Sequence, residues 1–129
     1  MGTTANIGMV KTVGNQTTVI SINCFYDGYL EGVGKKLELH YLEEDTAASL
    51  IASGDIYGLR EIYTECRPAD PENLNCTNWQ SVDEYLTNSY SDYTYLLQGG
   101  EWFVRTPDSG SHTLMKLGHA LLMKALTDA

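Results

Sequence analysis

Phe25-Tyr26-Asp27-Gly28-Tyr29-Leu30-Glu31-Gly32-Val33-Gly34 joins an apolar strand to an apolar helix, and it holds three glycines and two tyrosines. That composition is unusual for a plain connector. Gly28 can take positive φ in the turn. Gly32 and Gly34 weaken the helix that follows, by up to about 1 kcal/mol each relative to Ala. Glycine is kept at such positions where another backbone or a ligand comes close. The spacing is neither the dinucleotide fingerprint G-x-G-x-x-G nor a phosphate loop ending in Gly-Lys-Ser/Thr.

Working outward, Ala5–Val13 and Gln16–Cys24 read as strands joined by Gly14-Asn15, a pair suited to a type II′ hairpin turn. Ile20, Ile22 and Cys24 alternate with Val19, Ser21 and Asn23, which predicts one buried face and one mostly polar face. On the other side, Leu30 to Leu42 reads as a helix. Leu30, Val33, Leu37 and Tyr41 form its apolar stripe, with Lys35, Lys36 and Glu38 outward. A second short helix is expected from an Asp45 N-cap through Leu50 and Ile51 to Gly54 at C′.

Residues 55–78 read as irregular, since Arg67-Pro68-Ala69-Asp70-Pro71-Glu72-Asn73 suits neither helix nor strand. A loop of that length in a small domain is often functional. Ser81-Val82-Asp83-Glu84 is a capping box that opens a short helix. Tyr93–Leu97 and Glu101–Arg105 make a second hairpin across Gln98-Gly99-Gly100. Leu114 to Leu126 predicts a C-terminal helix capped by Ser111. Its apolar surface is wider than one core stripe needs, which points to a subunit contact near Leu117, Leu121 and Leu122, with Gly118 allowing close helix approach. The expected class is α+β: an antiparallel sheet built from hairpins, flanked by helices, in a single domain over 1–129.

The formal charge is −9, so the surface repels polyphosphate and binding to DNA or RNA polymers is not expected. A small anion held by a few arginines remains compatible with that charge. The three arginines, Arg60, Arg67 and Arg105, all lie from residue 60 onward, as do most of the aromatic residues. Guanidinium forks for phosphate and π-faces for a base suit a nucleotide-like ligand. No apolar run is long enough to span a membrane, and Asn6 breaks the myristoylation pattern after Met1-Gly2. The reading is a soluble intracellular protein. Cys24 reads as a core hydrophobe, and Cys66 and Cys76 as free thiols flanking a loop.

Catalytic signals are weak. His40, His112 and His119 have no metal-ligand spacing, so no metal and no cofactor are expected. Ser109-Gly110-Ser111-His112 lacks the strand-to-helix elbow of a nucleophile. The residues give no reason to read an enzyme.

The order of these segments carries a likeness. Aromatic-Asp27-Gly28-Tyr29-x-x-Gly32-Val33-Gly34 comes first, with Leu37 and Tyr41 after it, then Leu50-Ile51-x-x-Gly54-Asp55-Ile56. Trp79-x-x-Val82-Asp83-Glu84-Tyr85 and Asp92-Tyr93-x-Tyr95-Leu96 follow. Over roughly residues 5–105 the chain resembles the first-described Thoeris anti-defence family of bacteriophages, whose members sequester a cyclic ADP-ribose isomer made by bacterial TIR immune proteins without cleaving it. Relatives usually carry His-Trp where this chain has Phe25-Tyr26, so an aromatic plane is kept and an imidazole is not.

The resemblance implies a sponge for a cyclic ADP-ribose-type signal (glycocyclic ADP-ribose or a related cyclic nucleotide) acting in the host cytoplasm. It implies a homo-oligomer, dimer or higher up to a hexamer, with the pocket at a subunit interface and cyclic oligonucleotides at a separate site in some members. It places a base stack on Trp79, an acceptor for an adenine amino group or ribose hydroxyl on Asp92, phosphate contacts on Arg105 and Arg60, with Arg67 as the substitute for Arg60, and a further hydrogen bond on Asn88. Tyr26, Asp27, Gly28, Tyr29, Gly32 and Gly34 form its core motif. The competing readings are an acidic protein-targeting inhibitor that mimics DNA and an enzyme that degrades the same signal.

Overall fold

The first hairpin is the spine of the sheet. In a computed structural model that describes residues 2–108 and 113–128, β1 (Ala5–Val13) pairs antiparallel with β2 (Gln16–Tyr26) along their whole overlap. Gly14 alone of the two turn residues has positive φ, as a type II′ turn requires. The second hairpin, β5 (Tyr93–Gln98) and β6 (Glu101–Arg105), turns on Gly99 and Gly100, both at positive φ.

The sheet is mixed rather than antiparallel throughout. Its seven strands run β3-β2-β1-β5-β6-β7, with β4 also paired to β2. β1 pairs parallel with β5, and β2 parallel with β3 (Ile56–Gly58). The reason is topological: α1 (Lys35–His40) and α2 (Glu44–Ala52) lie between β2 and β3, and a helical crossover returns the chain parallel. The stretch read as irregular therefore contains β3, β4 (Thr77–Trp79), a 3₁₀ turn at Tyr63–Glu65 and a bridge between Ile56 and Pro68.

Both faces of the sheet are covered, which corrects the expectation of one polar face. Ile7, Ile22, Cys24, Tyr95 and Trp102 pack beneath α1, α2 and α4 (Leu117–Asp128). On the opposite face Val19 and Leu96 pack against Tyr85 and Leu86 of α3 (Val82–Asn88). Ser21 is buried there too, because its hydroxyl accepts the Trp79 indole N–H at 2.9 Å. The α3 cap forms as expected, with Ser81 Oγ accepting from the Glu84 amide at 3.0 Å, although the Glu84 carboxylate accepts from Gln80 rather than Ser81. Asp45 lies inside α2, whose N-cap is Glu43, while Gly54 does take the left-handed conformation that ends this helix. α4 begins three residues later than expected because Met115–Lys116 forms β7 against β6; the proposed Ser111 cap lies outside the described residues. Among the described residues no helix is long and apolar enough to cross a membrane.

The strand-to-helix junction is tied down at several points. Gly28 donates its amide to Thr3 O at 2.8 Å, and its own carbonyl accepts the Tyr95 hydroxyl at 2.7 Å. Positive φ falls on Asp27 (60°), not on Gly28. Gly28 is needed for proximity instead, since a Cβ there would lie 2.6 Å from the Thr4 backbone. The helix then opens as a π turn over Leu30–Gly34, with Gly34 N–H reaching Tyr29 O, before tightening into α1. Leu30, Val33, Leu37 and Tyr41 are all buried as the apolar stripe predicts.

Burial also sets a pH dependence. Desolvation pushes the Cys24 thiol from 9.0 up to about 11 and the Tyr41, Tyr85 and Tyr95 phenols well above their ordinary value. The unfolded chain gives up these protons first, so the stability they contribute is intact below about pH 9 and falls as pH rises further. The urea midpoint should therefore drop between neutral pH and about pH 10.5. An unchanged midpoint would mean that these groups are hydrated in the native state.

Candidate functional site

At the carboxyl ends of the parallel pair β2 and β3, side chains from three segments enclose a cleft of about 360 Å³. Tyr26 and Asp27 come from the end of β2, Lys36 from α1, and Tyr57, Arg60, Glu65 and Arg67 from β3 and the loop behind it. The Tyr26 and Tyr57 rings stack at 6.0 Å and 23°, Phe25 lies tilted against Tyr57 at 6.4 Å, and the Arg67 guanidinium sits 5.1 Å from the Tyr57 ring centre.

Backbone bonds hold these groups in place. Tyr57 N–H donates to Arg67 O at 3.1 Å and Ala69 N–H to Asp55 O at 2.8 Å, so the Pro-rich loop lies alongside β3 and delivers Arg67 over the ring. The Asp55 carboxylate accepts from Asn23 N–H at 2.8 Å and ties β3 to β2. Arg60 is fixed by its carbonyl, which accepts the Tyr41 hydroxyl at 2.7 Å, and by its amide, which donates to Cys66 Sγ at 3.3 Å.

The lining carries charges of both signs. Lys36, Arg60 and Arg67 are three of the eight Lys and Arg residues in a chain of charge −9, so in this lining the cations outnumber the carboxylates, unlike in the chain as a whole. Asp27 and Glu65 add two carboxylates. Among the described residues none of these five side chains makes an ion pair or hydrogen bond with protein. Two thiols lie under the floor, Cys24 bonded to the Tyr26 and Tyr57 carbonyls and Cys66 to Arg60. Burial raises both thiols, so neither is a thiolate nucleophile at neutral pH.

Of the residues expected at the site, Arg60, Arg67, Tyr26 and Asp27 share this cleft. Gly28, Gly32 and Gly34 are buried and, like the exposed Tyr29, lie outside its lining. The other four lie around α3 and the end of β1. Trp79 is half-buried, bonded to Ser21 and tilted against Tyr85 at 5.9 Å. Arg105 donates to Leu86 O and, at 2.8 Å, to Thr94 Oγ1, joining β6 to α3. Asp92 accepts from Thr4 N–H at 3.0 Å and its own amide donates to Thr4 Oγ1 at 3.2 Å, a reciprocal clamp on β1. Asn88 is exposed at the end of α3.

Sequence reasoning missed Lys36 and Tyr57 as site residues. Lys36 looked like one more solvated helix charge, and Tyr57 lies 31 positions after Tyr26, a separation closed only by the parallel pairing. On the α4 side, Leu117 turns into the chain's own core rather than toward a subunit contact, and Gly118 faces Glu38. Leu122, Met123 and Leu126 remain exposed.

Fold and cleft together define an α+β domain with a mixed sheet and a cleft lined by cationic and aromatic side chains. No protein-family model, curated protein or solved structure matches the chain.

Proposed function

We propose that this protein is a phage anti-defence sponge that binds a cyclic ADP-ribose-type immune signal in the host cytoplasm and releases it chemically unchanged. The observation that carries this reading is the cleft: guanidinium and ammonium groups for phosphate, and a tyrosine pair for a base, in an otherwise acidic protein. Tyr26 and Asp27 of its wall belong to the motif by which the chain resembles the family. Burial raises the two thiols beneath the cleft, which disfavours thiolate attack on the ligand.

A cleft of about 360 Å³ is at the small end of ligand sites, which span roughly 300–1,000 Å³. It surrounds part of a dinucleotide-like ligand and leaves the rest for a second copy of the chain. The exposed Leu122, Met123 and Leu126 on α4 supply apolar surface for such assembly, from a dimer up to a hexamer.

Native mass spectrometry with added cyclic ADP-ribose should give a species of at least twice the 14.3 kDa chain carrying the nucleotide. Heat denaturation should then release the nucleotide at unchanged mass. A linearised or hydrolysed product would overturn the sponge reading in favour of an enzyme. A liganded monomer would overturn the assembly.

A further inference from the structure

We propose that Asp27 is a specificity-determining residue whose carboxylate accepts a hydrogen bond from a ribose hydroxyl of the bound nucleotide, so that the cleft distinguishes ribose from deoxyribose. This rests on the nucleotide reading of the cleft and adds what the site recognises besides phosphate and base.

Asp27 is the one non-glycine residue at positive φ among the described residues. Such outliers persist where the surroundings over-determine them, and they gather at ligand sites. Here the backbone is fixed tightly. The Asp27 carbonyl accepts Val33 N–H at 2.9 Å, and Gly32 packs so closely that a Cβ on it would fall 2.2 Å from that oxygen. Asp27 thus lines the cleft from a rigid support, and its exposed carboxylate has no hydrogen-bond or ion-pair partner among the described residues.

An ionised carboxylate only accepts hydrogen bonds, and beside a phosphate it repels. A site built for phosphate alone gains nothing from Asp27 in the same lining as Lys36, Arg60 and Arg67. A ligand that brings donors as well as charge resolves the conflict. The wall offers ring, carboxylate and cation within a few residues, the three chemistries a nucleotide presents as base, ribose and phosphate. A site that pairs a ligand hydroxyl in this way rejects the analogue that lacks it, because its acceptor is then desolvated without a partner.

The test titrates the full chain calorimetrically with cyclic ADP-ribose and with analogues lacking the 2′- or 3′-hydroxyl of either ribose. Wild type should bind one deoxy analogue roughly tenfold or more weakly than the parent. Asp27→Gly removes the carboxylate at a φ that glycine adopts freely, and an unchanged melting curve shows that the fold is kept. This variant should bind the parent about tenfold more weakly and bind parent and analogue alike. Asp27→Asn, which keeps an acceptor at a tolerated φ, should fall between the two. Wild-type discrimination retained in Asp27→Gly would overturn the inference, as would tighter binding of every ligand, which would mark Asp27 as a turn residue that merely repels. Loss of discrimination leaves the nucleotide reading standing only if Arg60→Ala and Arg67→Ala also weaken binding. No binding of any of these ligands to wild type would overturn that reading and this inference with it.

Discussion

Gly32→Ala should destabilise the protein by about 3 kcal/mol or more, and lower Tm by roughly 10 °C or more. The added Cβ would sit 2.2 Å from the Asp27 carbonyl oxygen and 3.2 Å from the Asp27 Cβ. Relief would require the backbone to move, and that backbone is anchored on every side. Val33 N–H bonds to the same oxygen, Gly28 N–H bonds to Thr3, and the buried Tyr95 hydroxyl bonds to Gly28 O. Pulling Asp27 away would therefore loosen β1, β5 and the π turn together. Gly58→Ala is the matched control, because a Cβ at Gly58 meets nothing within 4 Å and φ there is not positive. Thermal melts followed by circular dichroism should separate the two variants widely. Equal melting temperatures would show that the close approach at Gly32 is not a constraint on the fold.

That contrast also marks what the sequence could disclose. The junction's glycines announced a close approach, but not its partner. A motif read along the chain does not show which of its own carbonyls folds back onto Gly32, nor that the positive φ falls on Asp27 rather than Gly28. Local signals were legible throughout: Gly14-Asn15 and Gly99-Gly100 each sit in their hairpin turn, Ser81 caps α3, and the stripe from Leu30 to Tyr41 is buried. Pairings between distant segments were not. β1 joins β5 at a separation of 88 positions for Ala5 and Tyr93, and β3 and β4 are three residues each, too short to show an alternation. A parallel pair has no turn signature to betray it. The antiparallel expectation failed for that reason.

The candidate site divides along the same line. Arg60 and Arg67 were identifiable as residue types suited to a nucleotide and Tyr26 and Asp27 as part of the motif, yet only the β2–β3 pairing gathers them and adds Tyr57 and Lys36. Trp79, Asp92 and Arg105 entered through the resemblance, and each has bonds within the chain, to Ser21, Thr4 and Thr94 respectively. Those bonds give the three residues a structural role, whatever else they touch in an assembly.

The two groups make opposite predictions, which decides between them. The double variant Arg60→Ala/Arg67→Ala should weaken binding of a cyclic ADP-ribose-type nucleotide at least about a hundredfold, since hydrogen bonds to charged groups contribute roughly 1.5–3 kcal/mol each. The sum is held to that lower bound because neighbouring contacts to one phosphate group are not additive. Stability should hardly change: both side chains are exposed, and neither is hydrogen-bonded to protein among the described residues. Arg105→Ala and Trp79→Ala should behave differently and lower Tm, because they remove the link from β6 to α3 and the indole bonded to Ser21. Binding is compared by calorimetry at two salt concentrations, with phosphate contacts expected to weaken as salt rises. If the double variant binds like wild type while a folded Arg105→Ala or Trp79→Ala protein does not, the ligand sits on the α3 side of the sheet. The cleft at the ends of β2 and β3 would then be a charged surface without a nucleotide.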